Sequence, residues 1–178
     1  MRIVVVGGNG FIGSHFVAAA VRAGHEITVS GSNPQPRYPH GLPFRFLPGG
    51  LDALAEAGDV LAGADAICHF ASNSIPSSSN ADPLGDIEGN LRPTVRLLEA
   101  LRRIGGKRIV YLSSGGAIYG RPQTTPMRED HPTNPMSSYG IVKLAVEKYL
   151  ALYSDQDGHR TTVIRPANPY GPGQGTFG

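Results

Sequence analysis

The chain has one cysteine, no tryptophan and few charges. Cys68 stands alone among 178 residues, so no internal disulfide can form, and a reducing, cytoplasmic compartment is the simplest reading. Charged residues make up 17% of the chain and the formal net charge is +2, too little to argue for nucleic acid or a membrane surface as partner. No apolar run approaches the roughly 18 residues of a membrane span. The run Ile3–Val6 is also too short for the apolar region of a signal peptide, and it reads as a strand. The six histidines are scattered without metal-ligand spacing, so no metal is expected. Glycine and proline are plentiful, at 24 and 15, but follow no period. The glycines therefore mark places where backbone turns sharply or comes close to something.

What is present is an alternation of short apolar runs with helical patterns, the appearance of βαβ units and a mostly parallel sheet. The strands read as Ile3–Val6, Ile27–Val29, Phe44–Leu47, Ala66–Phe70, Arg108–Leu112 and Thr161–Ile164. Helices are predicted over 11–22, 51–61, 83–104 and from Ser137 or Ser138 to Tyr153. Pro93 should kink the third of these or mark its true start. Residues 31–43 and 115–136 are proline-rich loops, and Pro166 onward is loop. The expected fold is a Rossmann-like, doubly wound parallel sheet with helices on both faces, one domain over residues 1–178.

Two motifs carry chemistry. Gly7-Gly8-Asn9-Gly10-Phe11-Ile12-Gly13 follows a strand and opens a helix. In that setting Gly7 permits the tight turn, Gly10 leaves room for a pyrophosphate, and Gly13 lets helix and strand pack closely. The helix N-terminus at Phe11 and Ile12 offers N–H groups and partial positive charge to phosphate. A dinucleotide site usually adds a carboxylate about 20 residues on. Here Val29-Ser30-Gly31-Ser32-Asn33 has none. Ser30, Ser32 or Asn33 could bond a ribose hydroxyl and Arg37 could reach a 2′-phosphate, which leaves NAD and NADP both open. The second motif is Tyr139 and Lys143, four residues apart and so on one helix face. A nearby ammonium favours the phenolate, so Lys143 is expected to draw the Tyr139 phenol toward working pH and also to reach a nicotinamide ribose. Cys68 and His69 read as a small core residue and a packing or loop-bonding strand-end histidine.

Together these residues resemble the extended short-chain dehydrogenase/reductase family, in its branch of NAD-dependent epimerases and dehydratases, nearest the UDP-glucose 4-epimerase-like group. The resemblance also rests on His69-Phe70-Ala71-Ser72, on Asn90-x-x-x-Thr94, on the strand end Ser113-Ser114 running to Tyr119-Gly120, and on Arg165-Pro166-Ala167-Asn168-Pro169-Tyr170-Gly171-Pro172. It implies a nucleotide-sugar epimerase using NAD. Tyr139 would be the acid/base, Lys143 its partner, and Ser114, or less favourably Ser113, the donor to the reacting oxygen. The cofactor would lie on Gly7, Gly10, Phe11, Ile12, Gly13, Ser32, Asn33, Phe70, Ala71, Ser72, Asn90, Ser113, Tyr139, Lys143 and Pro166, and Asn168 would bind the nucleotide diphosphate. The resemblance further implies a homodimer through the helices following Pro83 and Ser137. Gly115 stands where many epimerases have Ser or Thr, and Gly116 and Ala117 replace the Asp-Glu pair of sugar dehydratases, which disfavours dehydration. Alternatives are an NADP-dependent reductase of another carbonyl substrate and a non-catalytic dinucleotide-binding module. Family members continue for over a hundred residues past the position of Gly178. The expectation is thus a fragment or shortened form whose C-terminal substrate lobe is largely absent.

Overall fold

The computed structural model describes residues 1–38 and 41–175. Six strands form one sheet: β1 (Arg2–Val6), β2 (Glu26–Gly31), β3 (Arg45–Pro48), β4 (Ala66–His69), β5 (Arg108–Leu112) and β6 (Arg160–Ile164). Their order is β3-β2-β1-β4-β5-β6, and every pairing is parallel. The order reverses between β1 and β4, and the crevice at such a switch point is where open α/β sheets bind ligands.

Strand β1 shows why the sheet is doubly covered. Val4 and Val6 enter one core with Leu54, Leu61, Leu97, Leu101, Val146 and Leu150. Ile3 and Val5 enter the other with Val17, Ala20, Ile27 and Val29. Side chains alternate faces along a strand, so a continuous apolar run needs cover on both sides. Helix α1 (Phe11–Arg22) covers the second face, while α2 (Gly50–Glu56), α3 (Gly58–Gly63), α6 (Arg92–Arg102) and α7 (Ser138–Asp157) carry residues of the first. Val146, Leu150 and Tyr153 of α7 are all buried in that first core, which assigns them to the sheet. Cys68 sits in the second core, where burial pushes its thiol up to about 12. Among the described residues no helix is long and apolar enough to cross a membrane.

The structure departs from the predicted helices in four places. The helix expected over 51–61 is two, because Ala57 leaves helical geometry at φ −88°, ψ 64° ahead of Gly58. The short helix α4 (Pro76–Ser79) lies in a stretch that carries no helical period. The helix expected over 83–104 is α5 (Pro83–Asp86), a π-helical turn over Ile87–Leu91 and then α6, with Pro93 in its first turn. The run from Pro83 to Arg102 stays helical throughout, and Pro93 follows directly on the π-helical turn, where the bond ladder is already irregular. Helix α7 runs past Tyr153 to Asp157 and ends on Gly158 at φ +68°.

Candidate active site

The glycine turn leaves β1 where Gly7 adopts φ +77°, and a Cβ there would stand 2.7 Å from the Ala71 nitrogen. At Gly13 a Cβ would lie 2.2 Å from the Gly7 carbonyl oxygen, so α1 is seated directly on the turn. At Gly10 a Cβ would meet only that same oxygen, at 3.2 Å, leaving the rest of its surroundings open. Gly10 is also the N-cap of α1 and supplies no side chain to the first-turn N–H groups of Phe11, Ile12 and Gly13. The buried Asn9 donates to the Asn33 carbonyl at 2.8 Å, and its own side-chain oxygen has no partner. An open glycine, an uncapped helix end and an unpaired buried acceptor fit a pyrophosphate flanked by hydroxyl-bearing sugars. Ser32 and Asn33 are exposed at the end of β2 on the same side.

The Tyr139–Lys143 pair lies on the first turns of α7, which Ser137 caps by accepting from the Gly140 N–H at 3.2 Å. One small cleft is lined by Ala71, Ser72, Asn90, Tyr139 and Lys143, together with His69. Five residues expected to bind the cofactor are thus brought together from the end of β4, the π-helical turn and α7. Phe70 is not among them: its ring packs edge-on to Phe16, 5.2 Å away, on the α1 face. Pro166 meets the end of β5, where its carbonyl accepts from the Gly115 N–H at 2.7 Å. Asn168 is exposed on the loop after β6.

Lys143 is buried, donates to the Leu112 carbonyl at 2.9 Å, and lies 5.6 Å from the Tyr139 ring centre. Burial brings its ammonium down to about 8, with Asp86 opposing that fall. The Tyr139 phenol differs from the expected direction. Burial holds it above its ordinary value, the Ser114 hydroxyl pulls it down by hydrogen bonding, and Asp86 adds to the rise. The reason is positional: the phenol has lost water, and the Lys143 ammonium is bonded to a backbone carbonyl.

The two serines separate cleanly. Ser113 is buried and donates to the Glu147 carboxylate, which Arg165 grips at 3.1 and 2.7 Å. Ser114 accepts from the Ala117 N–H at 3.1 Å and bonds toward Tyr139. Ser114 is therefore the serine beside the phenol. Gly115 has a physical reason as well, since a Cβ would come within 2.8 Å of the Arg165 carbonyl oxygen. The pairing of Glu147 with Arg165 is not legible in the sequence, although Glu147 follows Lys143 by four residues and so continues the Tyr139–Lys143 face. Arg165→Ala is expected to cost about 2 kcal/mol, because it leaves a buried carboxylate without its cation. Urea unfolding measures this, and a loss indistinguishable from zero would contradict the role.

His69 is buried and bonds the Thr94 hydroxyl at 2.8 Å. Burial first, and the Lys143 charge second, bring its imidazole from 6.5 down to about 3. The folded protein thus holds it neutral, while the unfolded chain takes up a proton below pH 6.5. Its contribution to stability is complete above pH 6.5 and is lost as the pH falls toward 3. Thermal midpoints measured from pH 6.5 to 4 should fall more steeply for the wild type than for His69→Gln. Parallel slopes would refute this.

A parallel sheet in this order, a glycine turn feeding its first helix and a Tyr–Lys pair beside the switch point define a Rossmann-like α/β protein. Residues 3–177 match the model of the NAD dependent epimerase/dehydratase family, and the chain belongs to that family. It is 35% identical to a UDP-glucose 4-epimerase of Mycolicibacterium smegmatis, covering 100% of this chain and 59% of that one. It is 32% identical to a putative UDP-glucose 4-epimerase of Methanocaldococcus jannaschii, covering 97% of this chain and 57% of that one. The crystal structure of UDP-glucose 4-epimerase with UDP-glucose from Thermotoga maritima superposes with a TM-score of 0.90 at 31% identity, over 100% of this chain and 59% of that one. That of the Thermus thermophilus enzyme in complex with NAD gives 0.83 at 31%, over 97% and 59%. The chain thus spans little more than half the length of these relatives.

Proposed function

We propose that the chain is the cofactor-bearing part of an NAD-dependent nucleotide-sugar epimerase acting on a UDP-sugar at C4. The observation that carries this reading is the shared cleft of Ala71, Ser72, Asn90, Tyr139 and Lys143 beside the glycine turn. Relatives that are UDP-glucose 4-epimerases support the substrate class. The site residues would hold NAD with its pyrophosphate at Gly10–Gly13 and its nicotinamide side at Ala71, Ser72 and Asn90. A bound nicotinamide supplies reversible hydride exchange with a sugar carbon. Tyr139 takes the proton of the sugar hydroxyl on its phenolic oxygen and later returns it. Ser114 holds the reacting oxygen by a hydrogen bond and draws the phenol back down against burial, while Lys143 reaches the nicotinamide ribose. Asn168 bonds the nucleotide diphosphate. The reading includes a homodimer through the helices following Pro83 and Ser137, located in the cytoplasm; the exposed Leu84 and Ile87, and Ile141, Tyr149 and Leu152 of α7, supply apolar surface for that interface.

The test adds NAD and UDP-glucose to a longer version carrying a substrate lobe and looks for the 4-epimer. Its formation supports the assignment, and cofactor binding without turnover of any UDP-sugar overturns it. A second reading, an NADP-dependent reductase, is favoured by the exposed Ser32 and Asn33 and the missing acid after β2. Clear preference for NADPH over NADH in a titration would select it.

A further inference from the structure

We propose that Asp86 is a positioning residue for Tyr139 and Lys143, its carboxylate latching the loop after β4 and the Asn90 turn onto the N-terminus of the helix that carries the pair. The role rests on the reading of that pair as the reacting groups.

Asp86 is a buried acid with only 4% of its surface exposed, and among the described residues no lysine or arginine is its ion-pair partner. Burying a carboxylate is costly unless hydrogen bonds replace its water. Asp86 receives those bonds from three directions. Ser74, on the loop after β4, donates to Oδ1 at 2.7 Å. Asn90 donates to the same oxygen at 2.9 Å, and its own side-chain oxygen accepts from the Asn73 N–H at 2.8 Å. Ser138, the residue before Tyr139, donates to Oδ2 at 2.7 Å. The neighbouring segment continues the attachment: Asn80 accepts from the Ser138 N–H at 2.8 Å and Ser79 from the Tyr139 N–H at 3.1 Å. The N-terminus of α7 is thus fastened from outside by side chains 52 to 60 residues away. A negative charge is favourable at that helix end.

The charge also acts on the pair itself. The titratable groups around Lys143 are His69 from β4, Tyr111 from β5, Asp86 from α5, and Tyr139 and Glu147 from its own helix. His69 is held neutral by burial, the Tyr111 phenol is raised by burial, and Glu147 is gripped by Arg165. Asp86 is the one among these that raises Lys143 against burial. One carboxylate therefore sets both where the pair stands and how long its ammonium stays charged as pH rises.

Asp86→Asn keeps the shape and, with the Ser138 hydroxyl reversed to accept, the hydrogen bonds, but removes the charge. The experiment follows the Lys143 side chain by NMR through a pH titration of the chain without substrate. The wild-type midpoint is expected near 8, and that of Asp86→Asn at lower pH. An unmoved midpoint overturns the proposal. Should that variant fail to fold, Ser138→Ala is read by hydrogen exchange, where faster exchange of the amides of residues 139–142 is expected and unchanged exchange refutes the latch. Neither readout needs turnover, so a longer version that turns over no UDP-sugar would overturn the epimerase reading and leave this result standing.

Discussion

Gly13→Ala should destabilise the protein by about 3 kcal/mol, near the top of the usual range for overpacking, and weaken dinucleotide binding by at least about a hundredfold, or roughly 2.7 kcal/mol. The added methyl would stand 2.2 Å from the Gly7 oxygen and 2.7 Å from the Gly8 Cα, and both are backbone atoms of the turn itself. Neither can yield as a flexible side chain would. Relief must come from lifting α1 off β1 or deforming Gly7, and each displaces the N–H groups that would meet a pyrophosphate. Gly58→Ala is the control, because a Cβ there meets nothing within 4 Å. Thermal unfolding and calorimetric titration with NAD measure both effects. Wild-type stability with wild-type affinity in Gly13→Ala would contradict the geometry of the turn.

Tyr139→Phe should lower kcat by about a thousandfold, within the range of a lost general acid/base, which is about 4 kcal/mol of barrier. Only the phenolic oxygen is removed. The ring, the Ser137 cap and the attachment of the Tyr139 N–H to Ser79 remain. Stability and NAD affinity should therefore stay close to wild type, and the loss should fall on kcat with little change in KM. The assay is steady-state turnover of a UDP-sugar by a version of the protein that carries a substrate lobe, with NAD affinity measured alongside. A Tyr139→Phe enzyme retaining most of its kcat would remove the phenol from the mechanism.

Features that depend on local pattern are legible in the amino-acid order. The apolar run Ile3–Val6 demands cover on both faces, and two cores meet it. Pro93 marks where the π-helical turn gives way to α6. The spacing of Tyr139 and Lys143 places them on one face, and both line the same cleft. What is not legible depends on contacts between distant segments. The π-helical turn before Arg92 leaves no period in the sequence, and it is what presents Asn90 to Asp86 and Asn73. The bond from Ser113 to Glu147 spans 34 residues, so nothing local shows that this serine is tied to a buried carboxylate while Ser114 lies beside the phenol. The same holds for Asp86 and Ser138, which are 52 residues apart. The direction in which the Tyr139 phenol shifts is hidden for a related reason. Spacing shows that an ammonium is near, but burial and the carbonyl that holds Lys143 are tertiary facts.

A crystal structure of the chain with NAD tests the cofactor site most directly. The pyrophosphate is expected against the N–H groups of Phe11 to Gly13, and the nicotinamide end in the cleft of Ala71, Asn90, Tyr139 and Lys143. A dinucleotide bound elsewhere, or one whose nicotinamide points away from Tyr139, would contradict it.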